Sequence, residues 1–157
     1  MKPLAKRASV PLAFLVLLGA PIAAWSQSDA PAVKASAVGD IMGQTQLRHF
    51  KLGYAGELGN WPLASYEVQQ IRRSFGEAGR IGEPVGGEPF AKLLDEKSLP
   101  PLGEVEQAIA AKSEKDFIKA FDKLTQACNS CHVAANVGFI KIKVPTASPF
   151  SNQAFPP

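Results

Sequence analysis

The sequence predicts an all-α domain, an antiparallel four-helix bundle with an irregular C-terminal tail, and three observations carry that prediction. Apolar side chains recur at helical spacing in four segments between residues 38 and 135. The breaks between those segments fall at Gly59-Asn60, in the Gly/Pro-rich stretch 79–89 and around Ser113. The first two and the last two segments are joined by short connections, which makes sequence neighbours antiparallel neighbours in space.

Residues 1–26 read as a secretory signal peptide. Lys2, Lys6 and Arg7 form a charged start, Val10 to Ala24 an apolar stretch interrupted by Pro11 and Pro21, and Ala24-Trp25-Ser26 a small-x-small cleavage pattern. The apolar stretch is shorter than the roughly 20 residues of a membrane-spanning helix, so no stable membrane insertion is expected after cleavage. Three of the 17 Lys and Arg residues lie in this leader and none of the 14 Asp and Glu residues does, leaving 14 of each sign in the other 131 residues. That balance gives no reason to expect a nucleic acid or an anionic membrane as partner. The remaining length suits one domain with a core of ordinary size.

Residues 27–37 are rich in Ala, Ser and Pro and read as a flexible lead-in to a domain over 38–157. The first helix is expected over 38–58, with Ser36 or Gly39 near its cap and Asp40 in its first turn. Gly43, Gly53 and Gly56 each cost this helix about 1 kcal/mol relative to Ala. They are expected where something bulky comes close, either a flat cofactor or another helix. Asn60 or Trp61 caps a second helix over 62–78, with Pro62 at its first position. Leu63, Tyr66, Ile71 and Phe75 are assigned to its inner face, and Glu67, Gln70, Arg72 and Arg73 to its outer one.

A short turn of helix is expected over 90–96, after which Pro100-Pro101 stops that segment and opens a third long helix over 102–112. Val105, Ala108 and Ile109 face inward there. Ser113-Glu114-Lys115-Asp116 resembles a capping box with Asp in the usual place of Glu, and starts a fourth helix that ends near Ala135. Gly138 is the expected stop signal, and residues 139–144 alternate apolar and Lys side chains. The aromatics of the tail, Phe150 and Phe155, are expected to fold back over a bundle end or a cofactor edge, with a loose tail as the alternative.

The fourth helix carries the chemistry, in the pentapeptide Cys128-Asn129-Ser130-Cys131-His132. At about 100° per residue, Phe117, Phe121, Leu124, Cys128, Cys131 and His132 share one face, and Lys112, Lys115, Lys119 and Lys123 the opposite one. Two thiols three positions apart reach the vinyl edges of one porphyrin, and the adjacent imidazole then lies beneath the iron. C-x-x-C-H therefore reads as covalent attachment of one haem c. Other readings fit less well. Zinc needs four ligands, and Cys128, Cys131, His132 and His49 include two neighbours awkwardly placed for one tetrahedral ion. A thioredoxin-like pair would follow a strand at the opening of a helix. A disulfide between residues three apart closes a tiny loop and constrains little of the unfolded chain. The lysine row reads as a solvated face, with docking of an acidic redox partner as the functional alternative.

With an export signal, four helices and C-x-x-C-H near the end of the last one, the chain resembles the class II cytochromes c, the cytochrome c′ type. It is also similar in arrangement to the four-helix b-type cytochrome, whose haem ligands come from the first and last helices. The stretches Gln46-Leu47-Arg48-His49-Phe50-Lys51-Leu52 and Asn60-Trp61-Pro62-Leu63-Ala64-Ser65-Tyr66-Glu67 further resemble a group of small bacterial exported cytochromes. The resemblance implies an up-down-up-down bundle, Cys128 and Cys131 as thioether attachments, His132 as proximal iron ligand and a homodimer formed through the first two helices. It also implies the periplasm, because bacteria attach haem to this motif outside the cytoplasm.

The other side of the iron decides the function. Met42 and His49 lie on nearly the same face of the first helix but about 10 Å apart along its axis, so only one is at iron height. Met42 sits near the start of its helix as His132 sits near the end of the last, and is the expected sixth ligand. His49 is the runner-up, and an open site with Gln46 over the iron is the third arrangement. Met42 as a core gap-filler is the structural alternative. For His49 it is a half-exposed imidazole bonded to a haem propionate or a carboxylate, near Arg48 and Lys51. Filled axial positions suit one-electron transfer between exported redox proteins. An open distal face suits binding of a diatomic gas, NO or CO. No enzyme is expected, since His49 with Arg48 is the only candidate acid/base pair for peroxide chemistry.

Overall fold

A computed structural model describes residues 30–157, with side chains from Ala37 onward; the expected signal peptide lies outside the described residues. Five helices follow in order: α1 (Ala30–Glu57), α2 (Trp61–Ile81), α3 (Phe90–Lys97), α4 (Leu99–Ala110) and α5 (Glu114–Ala134). Among the described residues there is no strand, only an isolated bridge between Val85 and Glu88. α1 starts before the expected position, so 30–37 is helical where a flexible lead-in was expected; Pro31 stands in the first turn, where its missing N–H costs nothing. For the same reason Pro100 and Pro101 sit inside the first turn of α4 and do not delay its start.

Several helix boundaries trace to single residues. Gly59, at φ +70°, ends α1, and the Asn60 N–H returns to Ala55 O at 2.7 Å. Asn60 then caps α2, its Oδ1 accepting the Leu63 N–H at 3.2 Å. Lys112, at φ +51°, ends α4, and Ser113 Oγ accepts the Asp116 N–H at 3.4 Å to start α5. The Ser113 hydroxyl donates to the Asp116 carboxylate at 2.7 Å, so the capping box is only half formed. α5 stops at Asn136 and not at Gly138. Asn136 takes φ +60°, with Val137 N–H bonded to His132 O at 2.8 Å, because Asn tolerates the left-handed region better than most residues.

α1 packs on α2, α4 on α5, α2 on α3 and α4, and α1 along α5. The last of these contacts is made by rings of α5 seated on glycines of α1. A Cβ on Gly56 would lie 2.0 Å from Phe117 Cζ, and one on Gly53 would lie 2.9 Å from Phe121 Cζ. These two glycines therefore serve helix packing, while Gly43 has nothing within 4 Å and borders a cavity.

On α2 the expected faces are partly exchanged. Val105, Ala108 and Ile109 of α4 and Ile71 and Phe75 of α2 are buried as expected, but Tyr66 is half exposed and Glu67 is only 2% exposed. Glu67 faces inward because Arg48 of α1 donates to its carboxylate at 3.1 Å, and a charge enters a protein interior only with such a partner. The Tyr66 ring covers the Arg48 guanidinium from 5.6 Å. On the surface, Arg72 holds Glu106 through two bonds of 2.8 and 2.7 Å, and Lys123 reaches Glu104 at 2.5 Å. Exposed pairs of this kind contribute little stability.

The tail turns back along α1. Val144 packs against the core and Pro145 against Gly53. Phe150 meets Phe50 edge-on at 5.4 Å, and Phe155, 5% exposed, lies 5.3 Å from the Tyr54 ring. Asn60 Nδ2 donates to Phe155 O at 3.0 Å. The aromatics thus cover the α1–α2 turn.

Three outcomes follow for unfolding in urea. Gly56→Ala should cost about 2–3 kcal/mol, since its methyl overlaps the buried Phe117 ring, whereas Gly76→Ala, with nothing within 4 Å, should gain about 0.5–1 kcal/mol. Phe155→Ala should cost about 3 kcal/mol, and equal stability of variant and wild type would show that the tail is not part of the core.

Candidate functional site

Three contacts fix the register of α1 against α5. Gly56 meets Phe117, Gly53 meets Phe121, and His49 meets Thr125, stepping in opposite directions along the two helices. Seven more residues along the same register bring Met42 level with His132. His49 lies about 10 Å deeper, at 1.5 Å of rise per residue.

Beyond His49 the two helices enclose a cavity of about 650 Å³. Its volume lies within the roughly 300–1,000 Å³ typical of ligand and cofactor sites. Met42 and Gln46 line it from α1, and Cys128, Cys131 and His132 from α5. Gly82 to Gly86 after α2, Phe90 and Leu94 of α3, and Ile140 and Ile142 of the tail close the remaining sides. Gly82 admits the Phe90 ring, which a Cβ there would meet at 2.3 Å. All the residues singled out from the sequence as haem attachments or iron ligands therefore face one space.

The proximal candidate is already oriented. His132 Nδ1 lies 2.8 Å from Ile140 O, and since a carbonyl only accepts, Nδ1 carries the proton and Nε2 the lone pair. A hydrogen bond on the second nitrogen is how proteins fix the tautomer and ring orientation of a ligating histidine. The cysteines are free. Burial, with Cys131 alongside, pushes the Cys128 thiol up to about 12, and burial also raises Cys131. Redox-active cysteine pairs work from a lowered thiol, so this environment speaks against the thioredoxin-like reading. Among the described residues no group of three or more His, Cys, Asp or Glu is placed to hold a metal ion. The donor set does fit a haem: two thiols on one wall, an imidazole with a free lone pair, and a thioether level with it across an apolar space.

His49 is placed otherwise than as a half-exposed imidazole. It is 4% exposed, stacks on Phe121 at a centroid distance of 4.4 Å and meets Thr125 Oγ1 at 2.8 Å through Nε2. The Thr125 hydroxyl donates to Phe121 O at 2.9 Å, so its oxygen accepts the His49 Nε2–H. Arg48 is held by Glu67, and the two candidate peroxide residues are engaged on different interfaces. Lys112, Lys115 and Lys119 are exposed as expected, while Lys123 is paired with Glu104.

Thr125 was not singled out from the sequence. A polar residue three or four positions from Phe121 and Cys128 lies on the apolar stripe of its helix, and His49 breaks the matching stripe of α1. Two polar interruptions on facing stripes are the signal that would have paired them.

No family model, curated protein or solved structure matches the chain.

Burial lowers the His49 pKa from 6.5 to about 4, so the unfolded chain binds the additional proton between those values. The stability that neutral His49 provides is complete above pH 6.5 and is lost as pH falls toward 4, by up to about 3 kcal/mol. Urea midpoints at stepped pH should show His49→Leu flattening the slope between about pH 6.5 and 5, above the carboxylate range.

Proposed function

We propose that the chain is an exported, periplasmic monohaem c-type cytochrome, built as an antiparallel four-helix bundle, that carries single electrons between exported redox proteins. The observation that supports it most is Met42 standing level with His132 across a cavity that both cysteines line. Cys128 and Cys131 would hold the haem through thioether bonds, and His132 and Met42 would ligate its iron. The bound haem supplies a one-electron couple, whose potential Met/His ligation raises.

The chain's own residues set the conditions for that couple. Ile140 O keeps His132 in the tautomer with Nε2 free. Phe90, Leu94, Ile140 and Ile142 make the walls apolar and limit water. His49 at the floor, neutral at ordinary pH, adds no charge to the cavity. An electron carrier gains from such a fixed, largely apolar surrounding, because little has to reorganise when the charge changes.

Binding of NO or CO at an open distal face is the second reading, and one observation favours it. Gly39 and Gly43, on either side of Met42, have no atom within 4 Å of their Cβ positions, which gives the thioether room to swing aside.

Absorption spectra of the exported, haem-loaded protein, oxidised and reduced, with and without CO, separate the two. Electron transfer predicts sharp reduced bands that CO does not move in the wild type and that Met42→Ala loses. A broad high-spin spectrum that CO sharpens in the wild type would establish gas binding instead, and a protein exported without covalent haem would overturn both.

A further inference from the structure

We propose that Asn129, the first residue between the two cysteines, is a positioning residue for the His132 imidazole and acts through the returning tail. The proposal rests on the haem reading above. Asn129 Nδ2 donates to Ile142 O at 2.9 Å, and its Oδ1 accepts the Ile142 N–H at 2.7 Å. One side-chain amide thus takes both backbone groups of a residue that belongs to no helix or strand. The direction of the amide follows from the backbone, since one of those groups must donate and the other accept.

Two residues before Ile142, Ile140 O receives His132 Nδ1–H at 2.8 Å. The return path begins with local turns: Val137 N–H bonds His132 O at 2.8 Å and Ile140 N–H bonds Val137 O at 2.9 Å. Past Ile140, among the described residues, the Asn129 pair is the only hydrogen bonding that holds residues 141–144. The motif helix therefore grips the tail at Asn129 and receives from it, three residues later, the acceptor for its own histidine. Ser130, the other residue between the cysteines, donates to Gln126 O at 3.0 Å within its own helix, a bond that does not involve the tail.

A hydrogen bond from Nδ1 to a carbonyl makes the imidazole a stronger donor through Nε2, which favours oxidised iron. Releasing Ile142 frees Ile140 to move and weakens that bond. The midpoint potential then rises.

The experiment uses full-length, haem-loaded wild type, Asn129→Ala and Ser130→Ala, comparing covalent haem per chain and midpoint potential. It adds the iron–imidazole stretching band of the reduced proteins, recorded with Met42→Ala present in each. Asn129→Ala is expected to carry haem as the wild type does, with a higher potential and a lower stretching frequency, and Ser130→Ala to match the wild type in all three. Unchanged potential and stretch in Asn129→Ala at full haem content would overturn the proposal, as would an equal shift in Ser130→Ala. If Asn129→Ala does not accumulate, Asn129→Ser, too short to reach both groups of Ile142, is judged by the same outcomes. A wild type without covalent haem would overturn the underlying function, a result distinct from unchanged potentials in haem-loaded variants.

Discussion

The close approach of α1 to α5 is the constraint on which the rest of the structure depends. Two glycines on α1 leave space that the rings of Phe117 and Phe121 fill, and no side chain at Gly56 fits without displacing a fully buried ring. Ring-into-glycine packing is specific in register, because a shift by one residue would turn both glycines away from both rings. It fixes which residues of α1 and α5 share a level. Met42 and His132 are matched by that register, and the cavity between them is bounded below by the same contacts.

Polar groups inside the fold reinforce the arrangement in an ordered way. Arg48 and His49 are adjacent on α1, about 100° apart around the helix, and they face different neighbours. Arg48 reaches Glu67 on α2, and His49 reaches Thr125 on α5. A buried ion pair adds little net stability over apolar packing, but removal of one partner leaves a charge without compensation. The two adjacent residues thereby set the rotation of α1 between α2 and α5, and with it the inward direction of Met42.

The candidate site is made by a helix end and the chain that returns to it. Asn136 in the left-handed conformation turns the backbone, and Ile140 and Ile142 come back to wall the cavity and to accept from His132. The loop after α2 adds the opposite wall, where Gly82 allows Phe90 to stand close. The ligating candidates all come from regular helices. Part of what orients and shields them comes from irregular chain.

Much of this was legible in the sequence. Helical periodicity gives the helices, Gly59-Asn60-Trp61-Pro62 marks the first turn, and the spacing of Cys128, Cys131 and His132 puts all three on one face. The assignment of Glu67 outward and Tyr66 inward failed because periodicity weighs a carboxylate as polar wherever it stands, and only the position of Arg48, nineteen residues earlier, reverses that. His49 beside Thr125, and Asn129 beside Ile142, are likewise contacts between residues far apart in the chain or across an irregular return. By itself, then, the sequence determined most of the helices and the placement of Cys128, Cys131 and His132 on one helix face, because both depend on spacing within a few residues. Only the tertiary structure decided that His49 is buried against Thr125 and that Arg48 draws Glu67 inward, because those partners are set by the register of rings from one helix seated on glycines of another.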